Sequence, residues 1–201
     1  MRMHAVIVPP VEALSDLGQA VDRAARAAPS LPWLPRLEWQ LRLAYFGNLG
    51  LAEASTVRET LTKIGSYCAP LRLHVKGVEA VPEDAKADAV TVGLAGDIEE
   101  LWSLARAIPS MVQPHGLFLD RRSFRSSITV ARGSRGPFDA RAATSQLADY
   151  EGPPWVGSEM RVVRWMPGGV SEPDDWETVD AYQFTGRRED DDAARHAGAA
   201  H

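Results

Sequence analysis

The sequence contains one cysteine, Cys68, and no long apolar run. A single cysteine excludes an intramolecular disulfide and a zinc site made of several cysteines. Because Cys68 ends a helical pattern, we expect a buried structural thiol rather than a nucleophile. The apolar run at residues 3–8 stops at two prolines and is too short for a signal peptide or a membrane span. These absences predict a cytoplasmic protein without a membrane partner.

Basic residues are also fewer than acidic ones: the sequence has 22 Lys and Arg and 27 Asp and Glu, which gives a net charge of −5. This balance argues against a protein that coats nucleic acid with a broad basic surface. It leaves room for a small basic pocket, because residues 121–135 contain arginines and no acid. That stretch is either part of such a pocket or a solvated strand edge, where charge opposes aggregation. Its arginines are Arg121, Arg122, Arg125, Arg132 and Arg135.

Length and apolar periodicity predict one domain of helices and strands over residues 1–186, followed by a disordered tail over residues 187–201. Alternating apolar residues predict strands, and apolar residues three or four apart predict helices. The predicted strands cover residues 3–8, 37–46, 71–81, 89–94, 124–133, 155–166 and 176–184, and the predicted helices cover residues 11–27, 52–68, 97–112 and 139–149.

The order strand, helix, strand occurs twice, and the strands that end the two units are similar in sequence. Residues 40–47 align with residues 127–133, about half of the predicted domain further along. This predicts an internal duplication whose equivalent strands face each other across a cleft. Strict alternation places four polar side chains on the cleft side of these strands: Gln40, Arg42, Ser127 and Thr129.

The two strands and their surroundings carry a specific resemblance. The first reads WQLRLAYFG over residues 39–47, and the second reads FRSSITVAR over residues 124–132. Both resemble the motifs of the two-histidine (2H) phosphoesterase superfamily, and within it the RNA 2',3'-cyclic phosphodiesterases, also described as 2'-5' RNA ligases. The resemblance extends over residues 2–186. It implies a bilobal α+β fold in which duplicated, pseudo-twofold strand–helix–strand units with antiparallel sheets surround a central cleft.

In that family each motif strand carries His-x-Thr-x, and three of the four signature positions differ here. Gln40 and Ser127 stand in place of the histidines, Arg42 stands in place of the first threonine, and Thr129 remains. One family histidine takes a proton from water and the other donates one to the leaving oxygen, which requires groups that titrate near neutral pH. Gln40, Ser127 and the permanently charged Arg42 cannot exchange protons in this way. Loss of two histidines, at roughly 10²- to 10⁴-fold each, implies a catalytically impaired homologue.

Ligand binding does not require those histidines. A guanidinium, an amide and two hydroxyls suit a phosphate group, so the cleft is predicted to hold a nucleotide, an RNA end or another small phosphorylated ligand, without a metal or cofactor. The predicted ligand-binding residues are Gln40, Arg42, Ser127 and Thr129, assisted by Arg125 and Arg132. The alternative is a closed cleft in which Arg42 pairs with an acid such as Glu38. The protein would then be a non-catalytic scaffold.

A relocated histidine would support a third interpretation, an active phosphoesterase or transferase. His4 is the candidate, because it shares the strand phase of Val6 and Val8. His74 and His115 are expected to be surface or hydrogen-bonded histidines.

Aromatic residues near the motifs, namely Trp39, Tyr45, Phe46 and Trp165, are of the type that stacks on bases. Their alternating spacing favours core packing instead, and Tyr45 in particular falls in the buried phase.

Overall fold

The computed structural model describes residues 3–120, 124–166 and 175–187. Within these ranges the chain forms eight β-strands and four α-helices, and short 3-10 turns lie at residues 36–38, 84–86 and 113–115. The elements are β1 (Met3–Ile7), α1 (Val11–Ala27), β2 (Leu41–Gly47), α2 (Leu51–Tyr67), β3 (Leu71–Val81), β4 (Ala89–Gly96), α3 (Ile98–Val112), β5 (Ser127–Arg132), α4 (Arg141–Leu147), β6 (Trp155–Gly157), β7 (Glu159–Met166) and β8 (Asp175–Gln183).

The strands form two antiparallel sheets of four, in the orders β2-β1-β7-β8 and β5-β4-β3-β6. Each sheet begins with a motif strand, which pairs with the strand at the start of its own unit: β2 with β1 across α1, and β5 with β4 across α3. The predicted α+β fold with duplicated strand–helix–strand units is therefore confirmed. The two motif strands are also in contact with each other, at the place where the two sheets meet.

One apolar core holds the helices against the sheets. Helix α1 buries Leu17, Val21 and Ala24 on one face, and helix α3 does the same with Leu101, Leu104 and Ile108. These spacings of three and four residues form a continuous stripe on a helix. The buried side chains of the motif strands belong to this core and are Leu41, Leu43, Ile128 and Val130. The opposite side of the two sheets, here called the cleft face, carries the polar motif side chains.

A β-bulge interrupts the alternation of β2. Val6 of β1 pairs with Arg42, and Ala5 pairs with Ala44, so that Leu43 is an extra residue without a partner of its own. An extra residue changes which side the following side chains face. Tyr45 therefore returns to the side of Arg42, and the prediction that it packs in the core is wrong: Tyr45 is 48% exposed.

Strand β5 has a bulge at the equivalent position. Thr91 of β4 pairs with Thr129, and Val90 pairs with Ala131, which leaves Val130 as the extra residue. Arg132 therefore returns to the cleft face beside Thr129. The two halves of the fold thus share this bulge as well as their connectivity.

Two predicted strands differ from the observed ones by more than a small shift of their ends, and the strand predicted over residues 124–133 is shorter, at Ser127–Arg132. The segment 155–166 is two strands, β6 and β7, which break at Ser158 and belong to different sheets. Both pieces alternate, so the sequence pattern contains no sign of the exchange. The second strand starts at Leu41 rather than at residue 37, because the 3-10 turn at residues 36–38 precedes it. The predicted tail lies outside the described residues except for Arg187.

The segment before β2 is attached to β5. The backbone N–H of Leu34 donates to the carbonyl of Val130 at 2.9 Å, and the N–H of Arg132 donates to the carbonyl of Pro32 at 3.0 Å. These hydrogen bonds use the edge of β5 that β4 leaves open. Because β2 begins only a few residues after Leu34, these hydrogen bonds hold the start of β2 close to β5.

Gly65 provides a test of the packing of α2 on β8. A Cβ at this position would lie 2.7 Å from the carbonyl oxygen of Gln183. Alanine in place of glycine inside a helix normally stabilises by about 1 kcal/mol. We expect Gly65→Ala to lower the free energy of unfolding by about 1–3 kcal/mol instead, because the backbone carbonyl must move. Chemical denaturation measures this, with the exposed neighbour Ser66→Ala as the control. A Gly65→Ala protein as stable as the wild type would contradict this packing.

Candidate functional site

Two arginines from the two halves of the fold approach each other on the cleft face. Burial lowers the pKa of Arg42, the nearby Arg132 guanidinium lowers it further, and Glu38 raises it. No carboxylate in the described ranges forms an ion pair with either arginine. The pairing of Arg42 with Glu38 that would close the cleft is therefore not formed. Two like charges, with the Glu38 carboxylate near Arg42 but not ion-paired to it, make this part of the cleft positive.

Hydroxyl groups line β5 beside the two arginines. Arg132 Nη2 donates a hydrogen bond to Thr129 Oγ1 at 3.3 Å. Ser127 lies two residues earlier on the same face, and both hydroxyl-bearing residues are half-buried. The structure thus brings Arg42, Arg132 and Thr129 together, with Ser127 next to them on the strand.

The other two predicted ligand-binding residues are engaged by the backbone. Gln40 is only 8% exposed, and its Nε2 donates to the carbonyl of Leu37 at 2.9 Å. Arg125 Nη1 donates to the carbonyl of Phe124 at 2.9 Å. The Gln40 amide is hydrogen-bonded to the turn before β2, and Gln40 itself is the residue just before the first residue of that strand.

Aromatic rings continue the cleft face on the first sheet. The His4 ring centroid lies 4.8 Å from that of Tyr45 and 5.2 Å from that of Trp176, and Trp165 lies 5.0 Å from Trp176. These four side chains are called the aromatic wall below. Arg42 joins the wall to the arginine pair, since its Cζ lies 5.8 Å from the Trp176 ring centroid.

Sequence reasoning identifies this wall only in part. The strand phase of His4 selects it as a cleft residue, whereas the spacing of Trp165 favours core packing. Trp176 is missed, because its place opposite Trp165 depends on the pairing of β7 with β8. Trp39 and Phe46 are buried, as predicted.

A second concave region lies away from the motif strands. It is a groove of about 800 Å³ between the end of α2 and helix α3, and none of the predicted site residues lines it. Cys68 lies in this groove. Burial and, to a smaller extent, Glu100 raise the pKa of its thiol to about 11. This agrees with the expected unreactive thiol, because the thiolate is scarce at neutral pH.

Residues 3–120, 124–166 and 175–187 contain no group of three or more metal-binding side chains. None of the helices in these ranges combines the length and apolar character needed to cross a membrane.

The arginine pair predicts an unusual stability effect. The lowered pKa of Arg42 means that its charged form is disfavoured in the folded protein. We expect Arg42→Met to raise Tm by about 1–4 °C, because it removes a partly buried charge and its repulsion from Arg132 and keeps the apolar stem. Arg58→Met is the control, since Arg58 forms an ion pair with Asp180 and should not give a rise. A decrease in Tm for Arg42→Met would show that Glu38 and Trp176 compensate its charge.

No protein-family model matches the chain. An RNA 2',3'-cyclic phosphodiesterase of Geobacillus stearothermophilus is 27% identical to it over 150 residues, which are 72% of this chain and 47% of that protein. The chain thus spans about half the length of this curated relative.

Solved structures share the fold over nearly the whole chain. TT0787 of Thermus thermophilus matches 94% of this chain and 100% of its own, with a TM-score of 0.70 and 16% identity. E. coli LigT complexed with 3'-AMP matches 92% of this chain and 98% of its own, with a TM-score of 0.70 and 15% identity. The same protein complexed with ATP matches with a TM-score of 0.67 and 13% identity, over 92% and 98% of the two chains. The chain is thus similar in sequence to an RNA 2',3'-cyclic phosphodiesterase and shares the fold of TT0787 and of E. coli LigT.

Proposed function

We propose that this protein binds a phosphorylated ligand, of the class of a nucleotide or an RNA end, between Arg42 and Arg132. We propose also that it does not open cyclic phosphates by the two-histidine mechanism. The observation that carries the binding proposal is that Arg132, hydrogen-bonded to Thr129 of the second motif strand, is near enough to lower the pKa of Arg42 of the first motif strand. Two nearby cationic groups lower the stability of the folded protein when no anion is bound, and a bound anion removes that repulsion.

The chemistry of the side chains suits a phosphate. A guanidinium presents parallel N–H donors that match two phosphate oxygens. Thr129 accepts a hydrogen bond from Arg132, so its own proton is available for a phosphate oxygen. Ser127 adds a second hydroxyl on the same strand. We assign Gln40 a smaller part, because its amide N–H₂ is already bonded to the Leu37 carbonyl.

The same positions lack the means to transfer protons. The family mechanism needs a base and an acid at the positions of Gln40 and Ser127, and neither side chain titrates near neutral pH. Arg42, at the position of the first threonine, keeps its positive charge even with a lowered pKa. The cleft would therefore stabilise bound phosphate charge without activating water. This makes the protein a pseudoenzyme of its family.

A second candidate function is catalysis through His4. Its ring lies in the aromatic wall, and Trp176, which contacts that ring, also contacts Arg42. A histidine one layer of side chains from the phosphate site has the titration range of a general base. The ring contacts on both sides favour a role in packing or stacking, so we rank this candidate second.

Relatives with the same fold bind nucleotides in crystals: E. coli LigT has been complexed with 3'-AMP and with ATP. This supports a nucleotide as the class of ligand for the present chain.

Phosphate should stabilise the folded protein, since a ligand that binds only the native state raises Tm as its concentration rises. We expect a phosphate-dependent rise in Tm at constant ionic strength for the wild type, and none for Arg42→Gln or Arg132→Gln. Arg141→Gln is the control, because Arg141 is exposed and paired with Asp139. An equal rise in all four proteins would place the phosphate outside the cleft. No rise in the wild type would favour the scaffold interpretation.

Turnover of a short RNA ending in a 2',3'-cyclic phosphate tests the loss of catalysis. We expect no product above background from the wild type or from His4→Ala. The triple variant Gln40→His, Arg42→Thr, Ser127→His should gain activity, by roughly 10²-fold or more, because it restores both proton-transfer groups on a retained fold. Product formed by the wild type and abolished in His4→Ala would instead establish the second candidate.

A further inference from the structure

A third arginine lies on the cleft face of the first sheet. Arg161 of β7 pairs with Val6 of β1, and Val6 pairs on its other side with Arg42 of β2. Residues directly opposite each other in antiparallel strands have their side chains on the same face. Arg161 therefore faces the cleft together with Arg42. Neighbouring strands are about 5 Å apart, so the backbones of the two arginines are about 10 Å apart.

The side chain of Arg161 is held in place and is accessible. Its Nε donates a hydrogen bond to Glu159 Oε1 at 2.6 Å, and Gln183 Nε2 donates to the other oxygen of the same carboxylate. The side chain of Arg161 is 40% exposed. Its two Nη groups have no hydrogen-bond partner in the part of the chain that the structure describes. Their N–H groups are the pair of parallel donors that binds two oxygens of a phosphate.

The second sheet carries the opposite charge at the equivalent position. Thr129 of β5 is the counterpart of Arg42 in the duplicated motif strands. It pairs with Thr91 of β4, and Thr91 pairs with Glu79 of β3. Glu79 is thus two strands from Thr129, as Arg161 is from Arg42, and it is exposed. The two halves of the fold therefore present a guanidinium on one side of the motif strands and a carboxylate on the other.

These two charges give the cleft a direction. A second anionic group on a ligand is attracted over the first sheet by Arg161 and repelled over the second sheet by Glu79. A ligand whose first phosphate lies between Arg42 and Arg132 would therefore extend over the first sheet. Repulsion of the reversed orientation contributes to specificity as much as attraction does.

We propose that Arg161 forms a second phosphate subsite, so that the ligand carries two phosphate groups, one between Arg42 and Arg132 and the other on Arg161. Glu79 excludes the reversed orientation. This inference rests on the proposed phosphate site and deepens it. A nucleotide with phosphates on both its 3' and 5' positions has this chemistry, and so does an RNA end whose terminal phosphate is preceded by a phosphodiester.

Equilibrium titrations at constant ionic strength test the second subsite. The ligands are inorganic phosphate, 3'-AMP, adenosine 3',5'-bisphosphate and an adenosine dinucleotide that ends in a 3'-phosphate. We expect the wild type to bind the bisphosphate, the dinucleotide or both at least about 10-fold more tightly than 3'-AMP, because one more charge-assisted contact forms. The tighter of the two identifies the source of the second phosphate as a free nucleotide or an RNA end.

A pair of variants on β7 assigns this advantage to one side chain. Arg161→Gln should reduce the advantage over 3'-AMP by about 5-fold or more, while the variant still binds inorganic phosphate. Arg164→Gln is the matched control. It removes the same charge from the same strand, but Arg164 lies on the other side of β7 and forms an ion pair with Glu177. Thermal unfolding of each variant establishes that it is folded.

A charge exchange tests the direction of binding. Arg161→Gln combined with Glu79→Arg places a cation at the equivalent position of the second sheet. We expect this double variant to bind the two-phosphate ligand about 3-fold or more tightly than Arg161→Gln alone. Arg161→Gln combined with Glu12→Arg is the control, since Glu12 is exposed on α1, on the side of the sheets opposite the cleft. Equal affinities in the two double variants would refute the part assigned to Glu79.

The outcomes distinguish this inference from the proposed function. If phosphate binds and neither two-phosphate ligand binds more tightly than 3'-AMP, the second subsite is refuted and the first phosphate site stands. An advantage that persists in Arg161→Gln, or that is lost equally in Arg164→Gln, would refute the assignment to Arg161. If none of the ligands binds, the proposed function fails, and this inference fails with it.

Discussion

The attachment of the segment before β2 to the open edge of β5 is the constraint on which the site depends. The backbone hydrogen bonds of Leu34 to Val130 and of Arg132 to Pro32 hold the two motif strands at one seam. Each strand bulges one residue after its motif position, so that the next polar or aromatic side chain returns to the cleft face. The backbone hydrogen bonds bring the two halves of the fold together, and the bulges determine which side chains of the motif strands face the cleft. Arg42 meets Arg132 as a result.

The cleft lies on a fold that is shared with the similar solved structures. It also contains the charge of Arg42, which burial and Arg132 disfavour. Arg42 is half-buried, and its pKa is lowered by burial and by the nearby Arg132 guanidinium. Proteins commonly keep such destabilising arrangements where they bind ligands. Gln40 and Ser127 stand at the two motif positions where proton transfer would require histidine, and the permanently charged Arg42 stands at the position of the first threonine. The same fold can carry different side chains at these positions, because fold and site vary separately.

Much of this architecture could be predicted from the sequence. Helix α1 and strand β3 have the predicted bounds, because their apolar periodicity is strong. The similarity of the two motif strands correctly indicates a duplication. Strict alternation places Tyr45 in the core, because it takes no account of a bulge. The division of residues 155–166 between two sheets escapes prediction, since both pieces alternate in the same way.

The sequence by itself determined the α+β class, the duplicated units and the absence of histidine at the two motif positions, because these depend on residue type and local spacing. Only the tertiary structure decided that Arg42 lies near Arg132, that Gln40 bonds the Leu37 carbonyl and that Trp176 completes an aromatic wall. Each of these depends on the register between strands that are distant in the chain. Register is set by pairing and packing across the whole sheet, and no local pattern encodes it.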